Sequence, residues 1–414
     1  LKDQLIAQGC EFNTNSDTEV ILKLYEKEGV KSFGKLDGMF AFSIYDKILN
    51  KVFIARDFFG EKPLYYTKTK DHFIWASELK SIIGTLASKP DISKTALTMY
   101  FQLTYIPAPY TIYEGIHKLE ANHYIEIDCV ENSYKVLELV ESTSKFMIQS
   151  KKEAIKVTHE LVQKSVASRS ISDVPLGTFL SGGVDYSIVS LCLAQQQEQK
   201  IDTFSVGFDK RSFDESDKSR LVSKLINSNH HEFIISEKDL TANIDEIILN
   251  FDEPFADSSA LATYLVSKKT KDFVKVALTG DGGDEVFGGY NKYYMGKLNQ
   301  KYTSLIPKRL HENGLCLANK LLANREDSRG LKFKANRLLK SINYEGNFYY
   351  NIISLGFNES EIKNIFQSNV YIPDVLNYYK DKRWKDLNSI SHFRAIDKQL
   401  SLEGDMLVKV DRTS

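Results

Sequence analysis

The distribution of apolar residues along the chain changes character near residue 150. Before that point, short apolar segments are separated by polar turns, which is typical of strands joined as hairpins. After it, strand-like apolar segments alternate with segments of helical periodicity, which predicts a parallel, doubly wound α/β sheet. The pattern therefore predicts an α+β region followed by an α/β region, and an α/β protein overall.

The first region is predicted to begin with helices. An amphipathic helix is expected over 20–28, with Ser16 or Asp17 as its N-cap. Residues 29–35 match most of a phosphate-binding P-loop, but Leu36 stands where that loop needs a Ser or Thr hydroxyl, so we do not predict one. Hairpin strands are then predicted at 39–46, 51–55, 64–67 and 73–76, and a short β pair is predicted around 123–127.

The second region is predicted to alternate strands and helices. A helix is expected from residue 151, where apolar residues recur at helical spacing up to Val166. Further predicted strands are 174–180, 203–208, 232–235 and 273–278, and further predicted helices are 188–194, 216–227, 239–250 and 259–269.

A glycine-rich loop follows the predicted strand 174–180. Ser181, Gly182 and Gly183 stand between that strand and the next helix. Glycine lacks a Cβ and tolerates positive φ, so the backbone of this loop can approach a ligand closely. The helix start adds free N–H groups, and together these features predict a site for phosphate or pyrophosphate.

A second loop, residues 279–285, holds three glycines and three acidic residues after another apolar strand. Its carboxylates would repel one another unless a cation lay among them. Ligands of parallel α/β sheets bind at the carboxyl ends of the strands, where both loops are expected. Asp185 and Asp284 therefore suit a Mg²⁺ ion held between carboxylates and phosphate oxygens, although two tight turns with helix-capping aspartates would also explain the pattern.

Composition excludes several classes of protein. The 414 residues imply two or three domains, and 42% hydrophobic content supports packed cores. A net charge of −1 gives no general attraction to nucleic acid or membranes. The basic stretch Lys332, Lys334, Arg337 and Lys340 has helical spacing and is interpreted as a solvated face. The scattered cysteines Cys10, Cys129, Cys192 and Cys316 indicate neither disulfides nor a zinc ribbon, which predicts a cytoplasmic protein. From the net charge we expect neither nucleic acid nor a membrane as a partner.

The motifs resemble a known family. Residues 181–185, Ser-Gly-Gly-Val-Asp, resemble the pyrophosphate loop of N-type ATP pyrophosphatases, and together with 278–290 they are similar to glutamine-hydrolysing asparagine synthetases. Residues 16–20, 36–42, 55–57 and 60–66 resemble the glutaminase domain of that family. The resemblance implies a partial N-terminal-nucleophile (Ntn-hydrolase) glutaminase domain at 1–88, a connecting region at 89–150 and an ATP pyrophosphatase-type synthetase domain at 151–414. The family pattern extends past both ends, so we expect a fragment that lacks the nucleophilic cysteine and a downstream lysine.

The resemblance also implies an activity. Glutamine would be hydrolysed in the first domain, and ammonia would pass through an internal tunnel to the second. There, ATP with Mg²⁺ would adenylate the side-chain carboxylate of aspartate, and ammonia would displace AMP to give asparagine. Two alternatives remain open: a related amidotransferase that acts on another carboxylate, of a sugar acid or peptide in a surface-polysaccharide or natural-product pathway, and a catalytically weakened nucleotide-binding relative. The family suggests a homodimer.

Individual residues take their expected roles from matching positions in the family. One position departs from the pattern, because Tyr186 stands where the family keeps a serine. The expected roles are glutamine binding by Asp17; ATP binding by Leu180, Val206, Thr279 and Gly280; pyrophosphate binding by Ser181, Gly182, Gly183 and Ser187; Mg²⁺ binding by Asp185 and Asp284; and a catalytic role at the aspartyl-AMP intermediate for Asp281.

Overall fold

The computed structural model describes residues 1–140, 148, 150–209, 214, 216–321, 338–339, 342–344, 356–357, 359–366 and 390–414. The basic stretch Lys332, Lys334, Arg337 and Lys340 lies outside these described residues. None of the helices in these ranges combines the length and the apolar character that a bilayer crossing requires.

The chain opens with two α-helices and a 3₁₀ helix. These are α1, Lys2–Ala7; α2, Asp17–Glu28; and the 3₁₀ segment Gly29–Lys35. The predicted helix at 20–28 is confirmed, and it begins earlier because the Ser16 side chain accepts the Thr18 N–H at 3.2 Å as an N-cap. Acidic residues in the first turn favour the same start, since they complement the helix dipole.

Two antiparallel sheets make up most of the first region. Their strands are β1, Ala41–Asp46; β2, Lys51–Arg56; β3, Tyr65–Lys68; β4, Phe73–Ala76; β5, His117–Lys118; β6, His123–Asp128; and β7, Ser133–Glu138. The strand orders are β1-β2-β6-β7 and β4-β3-β5, and the predicted hairpins β1–β2 and β3–β4 are confirmed. The short β pair predicted around 123–127 in the connecting region is confirmed by β6, which pairs with β2 and β7, and β5 is a further strand of that region. Helices α3, Leu79–Thr85, and α4, Lys94–Leu103, lie between β4 and β5.

The second region alternates strands and helices. Its elements are α5, Lys151–Arg169; β8, Leu176–Phe179; α6, Val184–Gln196; β9, Asp202–Phe208; α7, Ser216–Leu225; β10, Asn229–Ile235; α8, Glu237–Asn250; α9, Ser259–Thr270; β11, Val276–Leu278; α10, Gly283–Phe287; α11, Lys292–Leu305; α12, Lys308–Leu321; α13, Glu359–Ile365; α14, Ile390–Asp397; the π-helix Lys398–Met406; and α15, Leu407–Thr413.

The strands of the second region form one parallel sheet in the order β10-β9-β8-β11. The predicted parallel α/β sheet is therefore confirmed. The order reverses between β8 and β11, and ligands of such folds bind at that switch point, outside the carboxyl ends of the strands. Strand β11 is shorter than the predicted 273–278, because the N–H groups of Phe273 and Val274 still bond to Thr270 O at the end of α9.

A buried ion pair joins the two regions. Arg56, at the end of β2, lies 2.7 Å from the carboxylate of Glu403 on the π-helix, and both side chains are about 5% exposed. Arg56 also donates to the carbonyls of Lys62, Gly60 and Leu119, and Glu403 accepts the Ala121 N–H at 3.1 Å. The π-helix is therefore fixed in position by contacts with the first region.

Candidate active site

The loop after β8 has the backbone geometry that its glycines suggest. Gly182 has φ +76°, and a Cβ added there would lie 2.4 Å from Lys218 Cβ. No side chain caps the start of α6 in the part of the chain that the structure describes, and Gly183 occupies the cap position. Ser187 donates to the Gly183 carbonyl at 2.6 Å. The helix start therefore keeps N–H groups free for an anion.

The two glycine-rich loops touch each other. A Cβ added at Gly280 would lie 2.6 Å from the backbone nitrogen of Tyr186 and 2.9 Å from the carbonyl carbon of Asp185. A Cβ added at Gly283 would lie 2.7 Å from Asp185 Cγ. These two glycines are needed because a side chain at either position would force the second loop away from the start of α6.

A cavity of about 610 Å³ opens where the loops meet. Of the predicted site residues, Asp185, Gly280, Asp281 and Asp284 line it. The other lining residues are Thr104, Tyr186, Ala256, Asp257, Ser258, Ser259, Gly282, Glu285, Tyr290, Asp405, Met406 and Lys409.

The remaining predicted residues are not among those that line this cavity. Thr279 adjoins it and accepts the Asp281 N–H at 3.3 Å, while Leu180 is buried and donates its N–H to Phe204 O at 2.7 Å. Val206 packs in the apolar core around β9. Ser181, Gly182, Gly183 and Ser187 belong to the loop and helix start beside Asp185 and are not among the residues that line the cavity. Asp17 is exposed in the first turn of α2, where it accepts the Thr18 N–H at 2.7 Å, and it is not part of this cavity.

The cavity is strongly acidic. Of the described residues that line it, six carry a carboxylate and one, Lys409, carries a positive charge. Burial, followed by the charge of Asp185, raises the pKa of Asp284. Glu285 is 1% exposed and burial raises its pKa; one of its oxygens accepts the Tyr290 hydroxyl at 2.9 Å. Carboxylates held this close together fit cationic guests.

Two carboxylates of the cavity, Asp185 and Asp284, suit part of the coordination shell of Mg²⁺. Within the described ranges, no group of three His, Cys, Asp or Glu side chains is arranged to hold a metal ion by itself. Asp185 and Asp284 are nevertheless close enough for the charge of one to raise the pKa of the other. Mg²⁺ commonly uses one or two carboxylates and takes its other ligands from water and substrate phosphates. This pair can supply that part of a Mg²⁺ coordination shell.

Three residues at the cavity were missed by sequence reasoning. Asp257 precedes α9, Asp405 lies on the π-helix, and Lys409 lies on α15 with its Nζ 3.8 Å from Asp281 Oδ1. Asp405 and Lys409 are four residues apart, the spacing that places side chains on one face of a helix, and this was an available signal.

Tyr186 faces the catalytic candidate. Its phenol lines the cavity and interacts with the Asp281 carboxylate; burial, followed by the Asp281 charge, raises the pKa of Tyr186. The phenol therefore stays protonated and can donate to Asp281. A tyrosine at position 186, where the family keeps a serine, therefore places a phenol beside the Asp281 carboxylate in the cavity.

The fold is that of an α/β protein with a parallel sheet, and the cavity lies at the switch point of that sheet. Residues 158–414 match the family model described as asparagine synthase, and residues 1–137 match that of a glutamine amidotransferase domain. The chain belongs to the asparagine synthase family.

Three relatives illustrate the match. A putative glutamine-hydrolysing asparagine synthetase 2 of Methanocaldococcus jannaschii is 39% identical over 307 residues, which are 73% of this chain and 59% of the relative. The glutamine-hydrolysing asparagine synthetase 1 of Bacillus subtilis is 32% identical over 421 residues, with 100% of this chain and 64% of the relative covered. A putative glutamine-hydrolysing asparagine synthetase of Mycobacterium tuberculosis is 30% identical over 429 residues, with 100% and 63% covered. The chain thus spans 59 to 64% of the length of these curated relatives.

Proposed function

We propose that the protein amidates aspartate to asparagine with ATP and with ammonia from glutamine, through a β-aspartyl-AMP intermediate. One observation carries the proposal. The pyrophosphate-type loop after β8 and the acidic loop after β11 touch at the switch point, so that Asp185, Asp281 and Asp284 share one cavity. An anion site at a helix start beside two carboxylates suits a nucleotide triphosphate with its cation.

The binding roles follow from position. Ser181, Gly182, Gly183 and Ser187 would bind the pyrophosphate of ATP at the start of α6, because free N–H groups and small side chains meet there. The backbone near Leu180, Val206, Thr279 and Gly280 would bind the rest of ATP. Asp185 and Asp284 would hold Mg²⁺, which when bound supplies positive charge against the phosphates.

The reaction needs an activated carboxylate. An oxygen of the aspartate side chain attacks the α-phosphorus of ATP, and pyrophosphate leaves. Ammonia then forms the C–N bond as the C–O bond to AMP breaks. Lys409 and Tyr186 would hold Asp281 in place beside the intermediate, since the ammonium and the phenol both face its carboxylate. Closely placed charges of this kind stabilise a transition state because they are already oriented before the reaction.

Aspartate-dependent exchange of labelled pyrophosphate into ATP tests the proposal in the full-length protein. We expect exchange with aspartate and asparagine formation when ammonia or glutamine is added. A sugar acid or a peptide carboxylate that supports exchange where aspartate does not would instead favour the related amidotransferase. ATP binding without exchange for any acceptor would favour a non-catalytic relative. We further propose a cytoplasmic enzyme, where ATP is supplied, and a homodimer on family grounds.

The glutamine half of the proposal predicts a selective defect at Asp17. This residue is exposed in the first turn of α2, is not among the residues that line the ATP cavity, and is proposed to bind the α-amino group of glutamine. We expect Asp17→Asn to lower glutamine-dependent amidation about 10²-fold, because a charge-assisted hydrogen bond to the substrate is lost. Ammonia-dependent amidation, measured in the same preparation, should keep its wild-type rate. An equal loss with both nitrogen sources would contradict this role.

Tyr186 gives a prediction specific to this chain. We expect Tyr186→Phe to lower aspartate-dependent exchange about tenfold, since a hydrogen bond to a charged group contributes about 1.5–3 kcal/mol. Tyr294→Phe, which removes a phenol from a side chain that is 52% exposed, is the matched control and should leave exchange unchanged. Faster exchange in Tyr186→Ser than in wild type would show instead that the tyrosine weakens a serine-type loop.

A further inference from the structure

One wall of the cavity lies where the first region contacts the second, between Thr104 and Asp405, and we call this contact the seam. Thr104, at the end of α4, lines the cavity, and its carbonyl accepts the Ala256 N–H at 2.9 Å, next to Asp257. Asp405 lines the same cavity from the π-helix. Glu403, two residues earlier, is the partner of Arg56 in the buried ion pair. Asp405 is therefore held close to the seam by contacts with the first region.

Two carboxylate oxygens at this cavity accept no hydrogen bond from the described part of the chain. Asp405 Oδ1 is buried and accepts no hydrogen bond from any residue that the structure describes. The same is true of Glu285 Oε2, whose side chain is 1% exposed, within the described ranges. A buried acceptor without a donor is costly, so such atoms point to a ligand that donates hydrogen bonds. Asp257 differs, because Ser259 donates to both of its oxygens, at 2.8 and 2.5 Å.

The missing donor should be small and cationic or rich in N–H groups. The carboxylates around it make an anionic guest unfavourable, and Lys409 is already placed beside Asp281. The proposed function brings two such guests to this cavity, the α-ammonium group of aspartate and the ammonia that replaces AMP. Ammonia is proposed to come from glutamine in the first region, whose contacts hold the π-helix that carries Asp405.

We propose that Asp405 binds the incoming nitrogen at the seam and accepts the proton that the nitrogen loses as asparagine forms. The inference rests on the proposed function. The nitrogen lone pair forms the bond to the β-carbonyl carbon of aspartyl-AMP, and the C–O bond to AMP breaks with its electron pair leaving on AMP. The nitrogen, which would otherwise keep a positive charge, transfers one proton to an Asp405 oxygen, and solvent later removes that proton. No oxidant or reductant is needed.

The acidity of Asp405 suits this step. Burial, followed by the charge of Asp257, raises the pKa of Asp405 to about 7, with Lys409 and Lys292 acting in the opposite direction and Glu285 in the same one. A proton acceptor works best when its pKa is near the operating pH. The ionised fraction of Asp405 falls as pH falls through this pKa. The rate of amidation per concentration of unprotonated ammonia should therefore fall on the acidic side, while adenylation does not share that limb.

Asp405→Asn tests the inference in the full-length protein, because the amide keeps the shape and cannot accept a proton. We expect ammonia-dependent asparagine formation to fall about 10²-fold, while aspartate-dependent pyrophosphate exchange stays within about threefold of wild type. Hydroxylamine, a nucleophile that is unprotonated at neutral pH, should be affected much less than ammonia. With rates expressed per concentration of unprotonated ammonia, the acidic limb of the ammonia profile should disappear. Asp245→Asn, at an exposed position of α8, is the matched control.

Two results would overturn the inference. One is normal ammonia-dependent amidation in Asp405→Asn. The other is a parallel loss of exchange and amidation, which would give Asp405 a role in adenylation or folding instead. Absence of exchange in the wild-type protein is a distinct outcome, which overturns the proposed function itself.

A stability measurement adds a readout that needs no substrate. The folded pKa of Asp405 is raised, so the folded state loses stability as pH rises through about 7, when the buried carboxyl ionises. Asp405→Asn avoids that ionisation. Its melting temperature should exceed that of wild type by more at about pH 8 than at about pH 5. An equal difference at both pH values would contradict the buried, titrating carboxyl.

Discussion

Asp185→Asn is expected to lower aspartate-dependent pyrophosphate exchange about 10³-fold, because a metal ion contributes several kcal/mol to transition-state charge stabilisation and each 1.36 kcal/mol is about tenfold in rate. Asp284→Asn should have a loss of the same order. Both residues line the cavity, and the charge of Asp185 raises the pKa of Asp284, which places the two carboxylates in one electrostatic site.

The Mg²⁺ dependence of the two variants separates metal binding from folding. The Mg²⁺ concentration for half-maximal exchange should rise in each variant, while the melting temperature without Mg²⁺ should not fall, because removing one of two repelling carboxylates relieves the other. Asp272→Asn, at an exposed position after α9, should behave as wild type. Exchange within about threefold of wild type in Asp185→Asn would contradict the proposed metal role.

Arg56→Met is expected to give the largest loss of folding stability, about 3–5 kcal/mol, because breaking a buried ion pair leaves an uncompensated charge. Glu403 would keep the Ala121 N–H as a partner and lose the guanidinium at 2.7 Å. Urea unfolding at about pH 8 measures the loss. The loss of stability should be smaller at about pH 5. Burial raises the pKa of Glu403, and Arg56→Met removes the charge that lowers this pKa, so Glu403 of the variant becomes protonated and the buried charge is neutralised.

A matched variant on the same strand controls for the removal of a cation. Lys51 pairs with Glu126 at 2.6 Å, but both side chains are about a quarter exposed. Lys51→Met should therefore cost at most about 1 kcal/mol. The double variant Arg56→Met/Glu403→Met should recover much of the stability, since an apolar pair often replaces a buried ion pair without loss. If Lys51→Met and Arg56→Met cost the same, the buried pair has no special role.

Local sequence signals predicted much of the fold. The Ser16 cap, the hairpins β1–β2 and β3–β4, and the alternation of strands and helices after residue 150 all depend on neighbouring residues, and the structure confirms them. Strand β11 was predicted too long because the end of α9 competes for the same backbone N–H groups. The short β pair around 123–127 was predicted, but the pairing of β6 with β2 and of β5 with β3 was not, because those partners lie more than 50 residues earlier in the chain.

The part of the site that depends on neighbouring residues was predicted, and the part that depends on long-range packing was not. Asp281 stands in a glycine-rich loop after a strand, and Asp185 and Asp284 stand in the first turns of the helices that follow such loops, so their residue types and spacing signal the site. Asp257, Asp405 and Lys409 reach the cavity only through long-range packing of α9, the π-helix and α15. The π-helix has no simple sequence signature, although such segments often mark functional sites. The domain boundaries stay a prediction.

The most direct test of the central claim follows one oxygen atom. Aspartate labelled with heavy oxygen in its side-chain carboxylate is converted with ATP and ammonia, and the products are analysed by mass spectrometry. The proposed β-aspartyl-AMP intermediate predicts that one labelled oxygen appears in AMP and none in inorganic pyrophosphate, because the C–O bond to AMP breaks on the carbonyl side. Label in inorganic phosphate, with ADP as the nucleotide product, or unlabelled AMP would contradict it.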